Sequence, residues 1–193
     1  MKSVLISIQP KWVEKICHKI GKKNGKPFYE KRDEVRKTKP KNETPFKCYI
    51  YCTKNGKSLI KDDISTTIGF IAKNGGKVIG EFVCDRLTFI DAYYDTNGNR
   101  HLCNTAFVKS CVPNDELFDY LYGKHGEKHG GWAWHISDLV IYDKPRELSD
   151  FETVGCQGCR DKDTYHCKFY CVGRRRLKRP PQSWCYVESE DTK

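Results

Sequence analysis

The chain carries the stretch KVIGEFVCDRLTFI at residues 77–90, and this stretch is the first guide to its fold. Val, Ile, Phe and Thr make up half of it, and residues of these types favour strands over helices. A glycine packs no side chain within a strand, so we expect the strand to bend near Gly80. The stretch therefore predicts one long, bent strand.

Shorter stretches before and after it predict further strands. Each is rich in apolar, aromatic or β-branched residues, which is typical of strands that contribute to a core. They are SVLISI (3–8), DEVRK (33–37), FKCYIYCTK (46–54), WAWHISDLVIYD (132–143) and SWCYVE (183–188). The chain is thus predicted to consist mainly of strands.

Two helices are predicted between these strands. The first begins at Pro10 and ends before GKKNGKP (21–27), an expected exposed loop, and the second is VPNDELFDYLYGK (112–124), with Asn114 as its N-cap. Apolar residues recur at helical spacing in both. They are Trp12, Val13, Ile16 and Ile20 in the first helix, and Leu117, Phe118 and Leu121 in the second.

The order of these elements predicts a fold class. Many short strands with a helix covering each end favour a small β-barrel of α+β type. The 193 residues fit a single domain, 1–193, which can bury an ordinary core. No apolar run approaches the ~20 residues that cross a membrane, and no signal segment is recognisable, so we expect a soluble, cytoplasmic protein that does not bind membranes.

Positive charge is concentrated in two parts of the chain. Residues 1–41 contain 13 Lys and Arg against 4 Asp and Glu, and the net charge of the whole chain is +10. A second basic run near the C-terminus consists of Arg174, Arg175, Arg176, Lys178 and Arg179. Concentrated basic segments favour an anionic partner such as nucleic acid, and a solvated cationic surface is the alternative.

Glu34 and Arg36 are the first candidates for a binding site. Side chains alternate along a strand, so both should point to the same face. A carboxylate beside a guanidinium can contact a base edge or a phosphate. Four cations would surround the pair with positive potential: Lys31, Arg32, Lys37 and Lys39. The alternative is an ion pair that stabilises the strand by ~0.2–1 kcal/mol. The residues alone favour neither reading.

Tryptophans supply candidate surfaces on which a base could stack. Trp132 and Trp134 share one face of their strand, and we expect one of them to be a core residue. Trp134 and Trp184 are the two that we assign to a stacking role. His135 points to the opposite face, where a structural role is the more common one for a lone histidine.

A cysteine-rich segment, residues 155–173, precedes the last strand. Its four cysteines fit the tetrahedral thiolate ligands of a zinc ion: Cys156, Cys159, Cys167 and Cys171. With four protein ligands such a site has no open position for water, so the zinc would be structural and would stabilise a segment too small for its own core. An iron–sulfur cluster, a redox switch and free thiols are the alternatives.

The chain resembles the ASCH family, whose fold is a PUA-like β-barrel, and in particular small ASCH proteins of bacterial and phage genomes. The resemblance is carried by LISIQPKWVEKI (5–16), EVRKTKP (34–40), KVIGEFVCDRL (77–87), GWAWHISDLVIYDKPREL (131–148) and RPPQSWCYVE (179–188). It implies a ligand cleft at Glu34 and Arg36, at the mouth of the barrel. Segment 155–173 lies outside the minimal domain and is expected to be an insertion within it.

The same resemblance implies an enzymatic alternative. Some members of the family are similar to small amidohydrolases that act on acylated cytidine, and others are linked to RNA cleavage. By position, the catalytic lysine would be Lys31 and the carboxylate would be Glu81. However, Glu34 stands roughly where the accompanying threonine would be, which disfavours the amidohydrolase.

The sequence therefore predicts an RNA- or nucleotide-binding protein with a basic cleft. A small hydrolase that uses the same cleft is the main alternative, and a module that binds only proteins is the third. Arg174, Arg175 and Arg176 are expected to contact phosphates, and no protein partner is indicated.

Overall fold

The computed structural model of the chain describes residues 2–23, 26–30, 32–54, 73–123, 129–154 and 175–188. The helices are α1 (Pro10–Ile16) and α2 (Asn114–Tyr122). The strands are β1 (Lys2–Ile8), β2 (Lys19–Lys23), β3 (Lys26–Tyr29), β4 (Asp33–Arg36), β5 (Phe46–Cys52), β6 (Lys77–Ile90), β7 (Ala92–Tyr94), β8 (Arg100–Leu102), β9 (Gly131–Glu147) and β10 (Trp184–Glu188). Each stretch predicted to be a strand contains one, so these predictions are confirmed.

The main sheet is open, which corrects the predicted barrel. Six strands follow the order β10-β1-β5-β6-β9-β4. Strand β1 is parallel to β5 and antiparallel to β10, and β4 is antiparallel to β9. Among the described strands, β10 and β4 end this order without pairing with each other. A barrel requires its first and last strands to pair, and the number of strands in a sequence does not determine whether they do.

Two compact units can be distinguished by their contacts. Unit one comprises Met1–Lys11, Lys47–Glu81 and Val140–Lys193, and unit two comprises Trp12–Phe46 and Phe82–Leu139. Each has an apolar core of its own. The core of unit one includes Leu5, Tyr49, Tyr51, Val78, Leu148, Phe151 and Val187, and that of unit two includes Val35, Ile90, Ala92, Leu117, Phe118, Leu121 and Ala133.

Helix α1 is shorter than its apolar spacing predicts. Val13 and Ile16 are buried, but the helix ends at Ile16. Ile20 lies in β2, which pairs with β3, and 53% of its surface is exposed. Pairing between residues 19–23 and 26–29 therefore replaces the last helical turn. Glycine disfavours a helix in this stretch, and the hydrogen bonds between the two strands satisfy its backbone groups instead.

Two further observations concern the whole described chain. None of its helices is long and apolar enough to span a bilayer. The cysteines that the structure describes all carry free thiols: Cys17, Cys48, Cys52, Cys84, Cys103, Cys111 and Cys185.

Candidate functional site

Strand β4 presents Glu34 and Arg36 on one face within unit two. The β4–β9 register places Glu34 opposite Trp134 and Arg36 opposite Trp132. Directly opposed residues project to the same face of a sheet, so these four side chains share a face. Val35 points the other way, into the core of unit two. The predicted alternation along this strand is confirmed.

Glu34 and Arg36 form an ion pair that is largely removed from solvent. The Nη2 atom of Arg36 lies 2.9 Å from Oε1 of Glu34, and each side chain keeps only 12% of its surface exposed. Burial raises the pKa of Glu34, and the charge and hydrogen bond of Arg36 offset part of that rise. Burying the pair incurs a desolvation cost that an exposed ion pair does not incur.

Arg32 brings a second guanidinium to this segment, two residues before Glu34. Its Nη2 atom pairs with a carboxylate oxygen of Glu30. Its Nε atom is buried and has no hydrogen-bond partner among the residues that the structure describes. A buried donor without an acceptor is costly, so a ligand oxygen that reached this atom would be favoured.

The surroundings of Cys111 show how closely the charged groups are gathered. Burial raises the pKa of its thiol to about 11. Four charged side chains also act on this thiol: Arg32, Glu34, Lys15 and Glu30. In addition, Nζ of Lys15 donates a hydrogen bond of 3.4 Å to the Cys111 carbonyl oxygen. Helix α1, the residues Glu30 and Arg32, and β4 thus place charges of both signs around one buried residue.

Asp33 holds β4 against the segment that precedes α2. Its side chain is buried, and its Oδ2 accepts a 2.6 Å hydrogen bond from the backbone N–H of Lys109. The backbone N–H of Asp33 donates in turn to the carbonyl oxygen of Lys109 at 3.1 Å. Because these bonds restrain β4, they also restrain the directions of Glu34 and Arg36.

The two tryptophans of β9 have different environments. Trp134 is 0% exposed and packs edge-on against Phe46, with ring centroids 5.8 Å apart. Trp132 is half-buried, and its ring lies 5.2 Å from that of Phe89 and 4.0 Å from the ammonium of Lys39. One of the pair is a core residue, as expected, and it is Trp134, to which the sequence assigned the stacking role.

A groove of about 520 Å³ opens beside Trp132 within unit two. Residues 39–44 line one part of it, and Asp85, Arg86 and Leu87 line another. No local sequence pattern indicates this groove, because its walls come from segments that are distant in sequence. The only available signal was the lysine-rich stretch that follows β4.

Lys37 and His135 are the remaining candidates of unit two. Lys37 is exposed just beyond β4, and its ammonium lies 5.9 Å from the ring centroid of Tyr120. The Nδ1 atom of His135 lies 2.6 Å from Oδ1 of Asp85. Partial burial acts to raise the pKa of Asp85, but the hydrogen bond and charge of His135 lower it overall. His135 thus has a carboxylate partner, which is consistent with a structural role.

Glu81 belongs to unit one and has two partners there. Its Oε2 accepts a 2.6 Å hydrogen bond from the hydroxyl of Tyr142, and its Oε1 lies 3.5 Å from Nζ of Lys47. Burial, followed by the hydrogen bond and charge of Glu81, raises the pKa of Tyr142 well above its usual range. The carboxylate is therefore oriented by a phenol and an ammonium.

Trp184, Arg175 and Arg176 also belong to unit one. Trp184 is half-buried, and its ring centroid lies 5.4 Å from that of Tyr186. Arg175 and Arg176 are exposed, and the backbone N–H of Arg175 donates to Oγ1 of Thr153. The predicted binding residues are thus divided between the two units.

Several predicted residues lie outside the described residues. They are Lys31, Arg174, Cys156, Cys159, Cys167 and Cys171. Within the ranges that the structure does describe, no group of three His, Cys, Asp or Glu side chains is arranged to hold a metal ion. The zinc site therefore stays a prediction.

The fold and site define an α+β protein, mostly sheet, with a shielded ion pair beside a groove that carries cations. No family model and no curated protein matches the chain. A solved structure of a single-residue variant of an ASCH protein from Zymomonas mobilis is similar, with a TM-score of 0.46, 15% identity, and coverage of 100% of this chain and 94% of that chain. An ASCH structure from the same organism has a TM-score of 0.44 and 15% identity, and covers 98% and 90%. Both bear the name of the family that the sequence resembles.

Proposed function

We propose that the chain binds RNA or a nucleotide at the face of β4 that carries Glu34 and Arg36. The observation that carries this proposal is their largely buried ion pair. A carboxylate accepts hydrogen bonds from the amino groups of a base edge, whereas a guanidinium donates to base acceptors and to phosphate oxygens. The two groups together are therefore complementary to a base, which presents donors and acceptors side by side.

Electrostatics support a ligand role over a purely structural one. Perturbed carboxylates gather at functional sites, and the pKa of Glu34 is raised. The buried Nε of Arg32, without an acceptor among the described residues, offers a further donor to an anion. Lys15 and Lys37 are exposed and add positive potential from α1 and from the end of β4. A polyanion is the partner that such surroundings favour.

A hydrolase on nucleic acid or on a modified nucleoside is the second candidate. It is favoured by the oriented carboxylate of Glu81, which Tyr142 and Lys47 hold in place. By the family resemblance, Lys31 would be the catalytic amine of such an enzyme. Incubating the protein with RNA and with N-acylated cytidine separates the two functions, since a binding protein leaves both unchanged and a hydrolase consumes one of them.

The test of RNA binding is its dependence on salt. We expect the logarithm of the affinity for single-stranded RNA to fall linearly with the logarithm of the salt concentration, because binding to phosphates releases counterions. Replacing Arg174, Arg175 and Arg176 together by alanine should weaken binding to all sequences and reduce the slope by ~0.7–0.9 for each phosphate that is no longer bound. Fluorescence anisotropy titrations at several salt concentrations measure both quantities.

The matched control is Lys144→Ala, which removes an exposed charge outside both basic segments. Its slope should equal that of the wild type. If the triple variant also binds with the wild-type affinity and slope, the C-terminal basic run is only a solvated surface. If the wild type binds neither RNA nor nucleotides at any salt concentration, the proposed function is wrong.

We also propose that Cys156, Cys159, Cys167 and Cys171 hold a structural zinc ion within segment 155–173. Protein purified without chelator should contain about one zinc per chain, because four thiolates complete a tetrahedral site. Cys156→Ser and Cys171→Ser should lower that content, while the sheet stays folded. Cys103→Ser, a described thiol outside the segment, is the control and should keep its zinc. Elemental analysis that finds no metal in the wild type would contradict the proposal.

A further inference from the structure

We propose that the groove beside Trp132 binds the nucleotide adjacent to the one held by Glu34 and Arg36. The ligand of this face is then a single-stranded segment of at least two nucleotides, rather than an isolated nucleoside or nucleotide. This inference rests on the proposed function and deepens it. It adds Trp132 and Arg86 as binding residues, and it gives Lys39, expected from the sequence only as one of the cations around the pair, a specific place in the groove.

The groove lies directly beside the β4 site. Arg36 and Trp132 are directly paired across β4 and β9, so their side chains leave the same face of the sheet from neighbouring backbone positions. The intervening backbone is close-packed: a Cβ atom on Gly131 would lie 2.6 Å from the carbonyl oxygen of Arg36. The same Cβ atom would lie 2.6 Å from Leu121 on the opposite face of the sheet, so glycine at position 131 lets β9 pack closely against β4 where Arg36 and Trp132 pair. A strand bound at Arg36 has its next base within reach of the indole.

The groove offers an aromatic ring on which a base can stack and a cation for a phosphate. Trp132 supplies a flat, half-buried ring that Phe89 supports from one side. Lys39 holds its ammonium 4.0 Å from the centroid of that ring. A base stacks on an indole more strongly than an exposed ammonium does, so a base can take the place of Lys39. The released ammonium is then free to contact the phosphate that links the two nucleotides.

Arg86 provides a second cation in the same groove. Its guanidinium is exposed and makes no ion pair within the described ranges. The groove also contains Glu43 and Asp85, but His135 already engages Asp85. Cations beside an aromatic ring suit a nucleic-acid strand, which offers phosphates and base faces in alternation. An acidic peptide would use the cations and leave the ring without a stacking partner.

The size of the groove agrees with this occupant. A volume of about 520 Å³ falls within the range of small-molecule sites and accommodates a nucleotide. Its polar and charged lining differs from the apolar lining that a lipid or a hydrophobic peptide would require.

The experiment compares nucleoside monophosphates with the matching dinucleotides, using calorimetry on the full chain. The wild type should bind dinucleotides about 5- to 150-fold more tightly than monophosphates, the range that one stacked base provides. Trp132→Leu should remove that gain and leave the affinity for monophosphates unchanged. Lys39→Ala, which is less demanding for folding, should lower dinucleotide affinity about 2- to 5-fold. Phe107→Leu, an exposed aromatic outside the groove, should bind both ligands like the wild type.

The outcomes separate this inference from the proposed function. If the wild type binds monophosphates and dinucleotides equally, the groove is not a subsite, although the β4 site stands. The same holds if Trp132→Leu keeps the wild-type preference. If a glutamate-rich peptide displaces the dinucleotide with the same Trp132 dependence, the occupant is a protein and the inference is wrong. Failure to bind any nucleotide overturns the proposed function itself.

Discussion

Arg36→Ala is expected to lower the affinity for the preferred nucleotide by about 5- to 150-fold and to make all nucleotides bind alike. A bidentate contact from arginine to a base contributes ~1–3 kcal/mol of discrimination, and this variant removes it. Arg36→Lys should behave almost as Arg36→Ala does, because an ammonium cannot reproduce the planar fork of donors. Titrations with each nucleotide measure affinity and preference together.

Lys37→Ala is the matched control for this experiment. It removes a nearby positive charge that is exposed beyond the end of β4. Such a charge attracts phosphate without distinguishing bases, so the variant should weaken every nucleotide to a similar extent. If Arg36→Ala lowers the melting temperature but keeps the ligand preference, the ion pair with Glu34 is structural and the site assignment is wrong.

Arg36→Ala should also change how the free energy of unfolding depends on pH. The pKa of Glu34 is raised in the folded protein, so the stability linked to its protonated form is fully present below the ordinary value of 4.5. That stability is lost as the pH rises through the folded pKa. Removing Arg36 takes away the charge that offsets the rise, so the loss should be larger for Arg36→Ala and extend to higher pH. In proteins that also carry Glu34→Gln, the free energy of unfolding should depend on pH in the same way with and without Arg36→Ala. Denaturation experiments at several pH values measure this.

Trp134→Ala is expected to lower the free energy of unfolding by about 3–5 kcal/mol. Trp134 is the largest fully buried side chain of the described residues, and its replacement leaves a cavity beside Phe46. Typical domains are stable by about 5–15 kcal/mol in total, so the loss is a large part of that stability. Urea denaturation followed by circular dichroism measures it.

The control for this prediction is Phe107→Ala, because Phe107 is 74% exposed. Its free energy of unfolding should stay within about 0.5 kcal/mol of the wild-type value. If Trp134→Ala keeps the wild-type stability and instead lowers nucleotide affinity, Trp134 contacts the ligand and its role as a core residue is wrong.

The strands and helices of the fold were largely predictable from the sequence, but whether the main sheet closes into a barrel was not. Strands β1, β5, β6 and β9 have strong apolar patterns, and each was predicted from residues within it. Whether β4 and β10 pair depends on the path of the whole chain, which no local pattern records. The β7–β8 hairpin was missed, although its turn, DTNGN at 95–99, has the composition of a hairpin loop. There the carboxylate of Asp95 accepts the backbone N–H groups of Asn97 and Asn99.

The candidate site shows the same limit at the level of single residues. Alternation along β4 was enough to place Glu34 and Arg36 on one face. Alternation also places Trp132 and Trp134 on one face, and therefore cannot tell which of them is covered. That depends on Phe46, whose ring meets Trp134 and not Trp132. The distinction between core and surface tryptophan thus comes from a contact between residues far apart in sequence.

The covered edges of the open sheet have a consequence for the behaviour of the protein at high concentration. An unpaired edge strand is a template on which strands of other molecules can pair and aggregate, and only closure into a barrel removes edges altogether. Here β4 is bridged along its edge by Ser110 at Asp33, and β10 is bridged by Thr153 at Val187. Each bridge occupies backbone groups that a foreign strand would need. One bridge on each edge strand thus occupies part of the template that a foreign strand would use, without the closure that a barrel requires.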